Sequence, residues 1–367
     1  MRGLDPRRIG LALAAPVTAL IFSVALTSVV LLVAGHSPAL AFSQMADFGT
    51  QPASVVQILN KTSGYYLSAL AVAIGFRMNL FNIGVDGQYQ LAAMVAAVVG
   101  AAVTLPSVLH VGLIIAVAVV VGALWAGVAA VLKVTRGVSE VISTIMLNFI
   151  GSALVAWMLT PQVFAQLQGN NVTTPTIAAS GRLPGITVSG GTIYGFIVIS
   201  ALVGLAYWFL LGYTRFGFDL RATGASEPAA VASGVSVKRM VIASMLLSGG
   251  VAGLVGMPQL LGASYAYSLD FPAGIGFTGI AIALLGRNHP VGVAIAALLW
   301  SFLDVSNQIL DLNDIPKEIV TIMQGVIVLS VVVAYEVVRR VSINREQRAV
   351  AARLGETAPA GSPAAVA

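Results

Sequence analysis

The residues in this chain that could do chemistry are few, and they are the wrong kinds for catalysis. There is no cysteine, which excludes disulfides, thiolate nucleophiles, iron–sulfur ligation and cysteine zinc sites. The three histidines, His36, His110 and His289, are far apart in sequence, and no H-E-x-x-H occurs, so a metal site is not supported. Without a Gly-Lys dipeptide there is no phosphate loop, and no Gly-x-Ser-x-Gly elbow is present either. Gly274 to Gly279 fits G-x-G-x-x-G. No strand precedes it, and no acidic residue follows in the βαβ context that a dinucleotide site requires. A backbone break or close helix packing is the better reading. The sequence implies no cofactor and no enzyme. What remains are polar residues within or beside apolar stretches: Asp86, Glu140 and Arg77, and the amides Asn82, Gln88 and Asn148.

Those residues must be positioned by a very apolar chain. Of 367 residues, 58% are hydrophobic and 9% charged, against roughly 25% charged in ordinary soluble domains. So few charges could not cover a water-soluble surface of this size, and a mean hydropathy of +0.93 agrees. Soluble enzymes, disordered proteins and nucleic-acid binders are excluded. The net charge of +5 suits loops that face an anionic leaflet.

The expected architecture is all-α and polytopic, with about ten membrane segments: 9–34, 64–82, 89–106, 111–132, 139–159, 192–211, 241–262, 274–286, 290–304 and 318–338. The first follows Arg7 and Arg8, and Ala39-Leu40-Ala41 after it resembles a cleavage signal. Its 26 apolar residues exceed the roughly 7–15 of a secretory signal, so a retained span is expected. The eighth and ninth segments are short. Arg287-Asn288-His289-Pro290 separates them, as in a hairpin or a broken helix pair. With the N-terminus inside, 15 basic residues fall on the inner side and 3 (Lys61, Arg182, Lys317) on the outer. Basic residues favour the cytoplasmic side, and an even number of spans then places both termini there. Segments two to five and seven to ten form two four-helix blocks of opposite orientation, the geometry of an inverted repeat. A glycine-rich break falls in each block, at Gly84–Gly87 and Gly274–Gly279, although no residue-by-residue self-match accompanies them. Residues 1–341 form the transmembrane domain, and 342–367 a disordered cytoplasmic tail.

Gly249-x-x-x-Gly253 offers a small-residue face, for packing within the chain or, less favoured, in a dimer. The inner segment 212–240 holds the most informative loop. Ser226 can cap a short helix with Glu227 and Pro228 in its first turn. Gly234 would end that helix, and Ser236 could cap the next. A docking element and an ordinary surface helix are both open from spacing alone. The outer loop 160–190 is too long for a simple turn and is expected to meet an external partner.

Four stretches carry a family resemblance. They are Phe81 to Gln88 (FNIGVDGQ), Val141 to Asn148 (VISTIMLN), Arg221 to Gly234, and Gly276 to Ala281 with Leu284 to Pro290. In this order they resemble the permease subunits of bacterial ABC importers of the branched-chain amino acid, ribose and nucleoside superfamily, most closely the nucleoside branch. The resemblance covers most of residues 55–340. It implies a bacterial cytoplasmic-membrane protein paired with a second permease, either an identical chain or a paralogue. It also implies cytoplasmic ATP-binding subunits and an external substrate-binding lipoprotein. The segment with Arg221, Gly224, Glu227, Ala229, Ala230 and Gly234 corresponds to the loop that docks on the ATPase. Position 86 is commonly Glu in the family and position 226 commonly Asn, differences that keep the charge and the capping group. Ribose-like sugars and branched-chain amino acids remain alternative cargoes. A stand-alone secondary transporter is less favoured, because proton or sodium coupling needs intramembrane ionisable groups that are scarce here.

A nucleoside path needs aromatic faces and neutral hydrogen-bonding groups rather than fixed charges. Phe81, Asn82 and Gln88 flank the first break, Phe277 and Thr278 lie in the second, and Asn148 falls deep in the fifth span. These six are the candidate path residues. The alternative for the amides is that they join helices by hydrogen bonds. The topology predicts that, with no native cysteine to interfere, a cysteine at Thr174 reacts with an impermeant reagent from outside while one at Ser233 does not. The reverse pattern would refute the orientation.

Overall fold

The computed structural model describes residues 21–169, 171–313, 315–316, 318–331, 333 and 340. The tail expected from residue 342, and the basic residues before Ile21, lie outside that set. The described chain is helical apart from short strands in the loop 160–195. Its helices are α1 (Ile21–Val33), α2 (Pro38–Gly49), α3 (Pro52–Phe76), α4 (Val85–Ala102), α5 (Ser107–Arg136), α6 (Glu140–Met158) and α7 (Phe196–Tyr213). There follow α8 (Arg215–Ala225), α9 (Glu227–Ala232), α10 (Val237–Gly253), α11 (Met257–Gln259), α12 (Ile275–Leu285) and α13 (Pro290–Asp311), then α14 (Glu318–Val331). Two compact units result: α1 and α14 belong to one, and residues 40–317 form the other.

Among the described residues, five helices are long and apolar enough to cross a membrane alone: α5, α6, α7, the run Val237–Ser264, and α13. The chain is therefore a multi-pass helical membrane protein. α3 and α4 are less apolar because they lie inside the bundle. Leu67 to Gly75 of α3 are buried without interruption, and Val85 to Tyr89 of α4 likewise. Helices that do not face lipid can carry Asp86, Gln88 and a row of serines.

Two expected limits need correction. α3 begins at Pro52, twelve residues before the expected span, since Gln57, Asn60 and Lys61 dilute its apolar signal while Pro52 opens the helix. α13 runs 22 residues to Asp311, so of the eighth and ninth expected segments α12 alone, at 11 residues, is short. Gly249 and Gly253 pack within the chain, as the favoured reading expects. A side chain at either would strike the α5 backbone at Gly122 or Ala118.

Among its described residues, the loop 160–195 is ordered rather than slack. It forms two antiparallel hairpins, β1 (Gln166–Gln168) with β2 (Asn171–Thr173) and β3 (Ile186–Val188) with β4 (Gly191–Ile193). The Thr174 N–H donates to the Tyr267 carbonyl, and the Ile177 N–H to that of Tyr265. Arg182 stacks its guanidinium 4.3 Å from the Tyr265 ring centre. Thr174 is fully buried, so the cysteine that tests the expected orientation belongs instead at Leu167, which is 71% exposed. Gly253→Leu is expected to cost at least the 1–3 kcal/mol typical of overpacking, read as a lower unfolding midpoint of the detergent-solubilised protein.

Candidate functional site

The two glycine breaks meet, and one carboxylate joins them. Asp86 sits in the first turn of α4. Its Oδ1 accepts the backbone N–H groups of Gly274 (3.0 Å) and Gly276 (3.3 Å), and its Oδ2 accepts that of Phe277 (3.2 Å). Those N–H groups belong to the start of α12, where helices leave donors unpaired. Gly274, the residue before α12, has φ +81° and no side chain to cap with, so Asp86 supplies the cap from 188 residues away in sequence. The helix dipole favours a negative group there. Tyr89, fully buried one turn on, donates its hydroxyl to the Pro272 carbonyl at 2.8 Å. Gly276 has to lack a side chain because a Cβ would meet Asp86 itself.

The amides form the wall behind this clamp. Asn82 and Gln88 exchange two hydrogen bonds, at 2.9 and 2.8 Å. Asn82 also donates to Ser248 Oγ (2.9 Å) and accepts from the Gly84 N–H (3.1 Å). Ser248 passes the chain on to the Ala71 carbonyl at 2.6 Å. Asn148 of α6 accepts the Gly87 N–H (2.8 Å) and donates to the Ile83 carbonyl (2.8 Å). All three amides are buried. Asn82 thus uses both donors and both acceptor sites inside the protein, and Asn148 satisfies the broken backbone that membrane burial would otherwise strand.

The aromatic candidates sit differently. Phe81 is 48% exposed, its ring edge-on to Phe76 at 5.2 Å. Phe277 is 53% exposed, although its backbone is held by Asp86. Thr278 turns its hydroxyl back to the Gly274 carbonyl at 3.1 Å.

The segment 212–240 is separate but connected. α9 forms as the spacing predicts. Ser226 accepts from the Ala229 N–H at 3.4 Å, and Gly234 ends the helix with φ +83°. Val235 and Gly234 donate to the Ala230 and Val231 carbonyls, the bond pattern of a left-handed helix stop. Ser236 makes no capping bond, contrary to expectation. Glu227, Ala229 and Val231 are exposed, Arg221 is half-buried, and Ala230 is buried. Gly224 presses on the end of α3, where a Cβ would strike the Arg77 and Met78 backbone. Asn79 donates to the Gly224 carbonyl at 2.6 Å. Arg77 and Tyr207 both donate to the Asn288 carbonyl, at 2.8 and 2.7 Å, in the turn between α12 and α13.

Sequence reasoning named Asp86, Arg77 and Asn288 but did not count them as site residues, and it missed Tyr89 and Ser248. The usable signal was an acid placed in one glycine break while a second break exposed helix-start donors.

Comparison with known proteins agrees with the resemblance. A family model described as "Branched-chain amino acid transport system / permease component" matches residues 54–332. The guanosine ABC transporter permease protein NupP of Bacillus subtilis is 34% identical over 330 residues, covering 88% of this chain and 93% of that protein. The nucleoside ABC transporter permease protein NupB of Lactococcus lactis is 31% identical, covering 87% and 90%. The glucose ABC transporter permease protein TsgB13 of Haloferax volcanii is 30% identical, covering 89% of each.

Asp86→Asn would turn an amide N–H₂ toward backbone donors. It is expected to lower stability by about 1–3 kcal/mol for each donor left unpaired. An unchanged unfolding midpoint in detergent would show that the three N–H groups find other partners.

Proposed function

Because the chain belongs to this family of transport-system permease components, we propose that it forms the path by which an ATP-driven importer carries nucleosides across a bacterial cytoplasmic membrane. As a permease subunit it is not an enzyme; ATP hydrolysis belongs to separate subunits of the ABC system, which also includes a substrate-binding protein. The observation that carries the cargo class is the likeness to NupP and NupB, which spans most of all three chains. The glucose relative keeps a sugar as the second reading.

The proposed membrane arrangement has ten segments and both termini inside, with a second permease, identical or paralogous, completing the path. The two glycine breaks border that path. Asn82, Gln88 and Asn148 fix its wall, while Phe81, Phe277 and Thr278 offer surface to the cargo. Base–aromatic contact is worth roughly 1–3 kcal/mol in other settings, and a weak grip suits release.

α9 is the ATPase-docking element. Ala229 and Val231 face outward for packing, and Arg221 and Glu227 supply rim contacts. The buried Ala230 anchors the helix to its own bundle. Gly224 and Gly234 set the backbone on either side. Movement of α9 would reach α3 through Gly224 and Asn79, and the α12–α13 turn through Arg77 and Asn288.

Uptake of labelled uridine, adenosine, ribose and glucose, after co-expression with the partner subunits, tests the cargo. Nucleoside uptake is expected, and sugar uptake alone would favour the second reading. Gly234→Trp is expected to leave the protein in the membrane while separating ATP hydrolysis from transport. Transport retained at normal expression would refute the docking role.

A further inference from the structure

A cavity of about 410 Å³ lies beside the clamp and shares none of its bonded side chains. Its size is within the roughly 300–1,000 Å³ of small-molecule sites. Gln57, Lys61 and Tyr65 of α3 line one side, with Asp304 of α13, Tyr194 beyond β4, and Gln259 of α11 completing it. The Pro272–Ile275 segment also borders it, so its wall includes the second break.

Each lining group is placed by a stated contact. Asn60 donates to the Thr192 carbonyl at 2.9 Å and accepts the Tyr194 N–H at 2.8 Å, which fixes the outer hairpin and its tyrosine over the cavity. Asp304 Oδ2 takes Lys61 Nζ at 2.6 Å and the Tyr65 hydroxyl at 3.1 Å. Oδ1 is left as an acceptor, and two ammonium protons of Lys61 are left as donors. Gln57 and Gln259 make no side-chain hydrogen bond among the described residues. The one positive and one negative charge among its lining residues sum to zero, so the cavity carries no net charge that would select an anion.

The geometry points to this cavity as a recognition site for a neutral nucleoside, an inference that rests on the function proposed above. The Lys61–Asp304 pair suits ribose hydroxyls, which can donate to the carboxylate and accept from the ammonium. The tyrosines offer apolar faces to the base, and the free amides of Gln57 and Gln259 match the donor and acceptor edge of a base. The cargo would then rest against Pro272–Ile275, which Tyr89 and Ser68 hold by their carbonyls, so occupancy bears directly on the clamped break.

The assembled complex, with its ATPase and binding protein, tests this. The binding protein captures the cargo, so cavity contacts should act on the maximal rate more than on KM. For Asp304→Asn we expect about a tenfold fall in the maximal rate of guanosine uptake, the size of one lost hydrogen bond to a charged group. The rate advantage of guanosine over 2′,3′-dideoxyguanosine should disappear, a change that a general packing defect would not cause. In the complex without binding protein, 8-azidoguanosine should photolabel Tyr65 or Tyr194, and guanosine should compete. If Asp304→Asn fails to assemble, Gln259→Leu carries the test by altering the ratio of guanosine to adenosine uptake. Unchanged rates and ratios in assembled variants, or labelling elsewhere, overturn the site while leaving the proposed function standing. Absence of nucleoside uptake by the unmodified complex overturns both.

Discussion

The bundle depends on one buried carboxylate that closes two interruptions at once. A helix that begins inside a membrane protein leaves backbone donors without water to receive them. Asp86 receives three such donors at the start of α12, and it does so from the first turn of another helix that itself begins at a break. The carboxyl group is met there by three oriented N–H groups. Asn148 solves the complementary problem at the first break, bonding the Gly87 N–H and the Ile83 carbonyl from α6. Short broken segments can therefore stay at depth without facing lipid.

Composition follows from that arrangement. The polar helices α3 and α4 occupy the interior, and the strongly apolar α5, α6 and α7 expose long side chains such as Leu124, Phe149 and Phe209. With lipid outside as apolar as leucine, close contact comes from small residues. The Gly122, Gly249 and Gly253 contact is the clearest case.

Much of this was legible in the sequence. Apolar runs gave helices, the glycine breaks were placed, and Ser226 and Gly234 bounded α9 by capping chemistry alone. What hydropathy hid was the first part of α3, because Gln57, Asn60 and Lys61 read as loop residues although they belong to the helix and line an open cavity. Thr174 looked like an exposed loop threonine. Its burial depends on pairing with Tyr267, nearly a hundred residues away, which no local pattern encodes. For the same reason the amides could be singled out but their partners could not. Asn82 and Gln88 are six residues apart, yet the bond from Asn82 to Ser248 requires α10 to be in place.

The contact between Gly224 and the end of α3 has a mechanical consequence. Backbone meets backbone there, with no intervening side chain. A side chain in the gap could change rotamer and absorb a small displacement before anything else moved. Here there is no such play. A push of a few tenths of an ångström on the segment that carries Gly224 must either shift Arg77 and Met78 or break the Asn79 bond. The joint behaves as a stiff strut rather than a spring, and the energy delivered to it reaches the next element instead of being spent in the linkage.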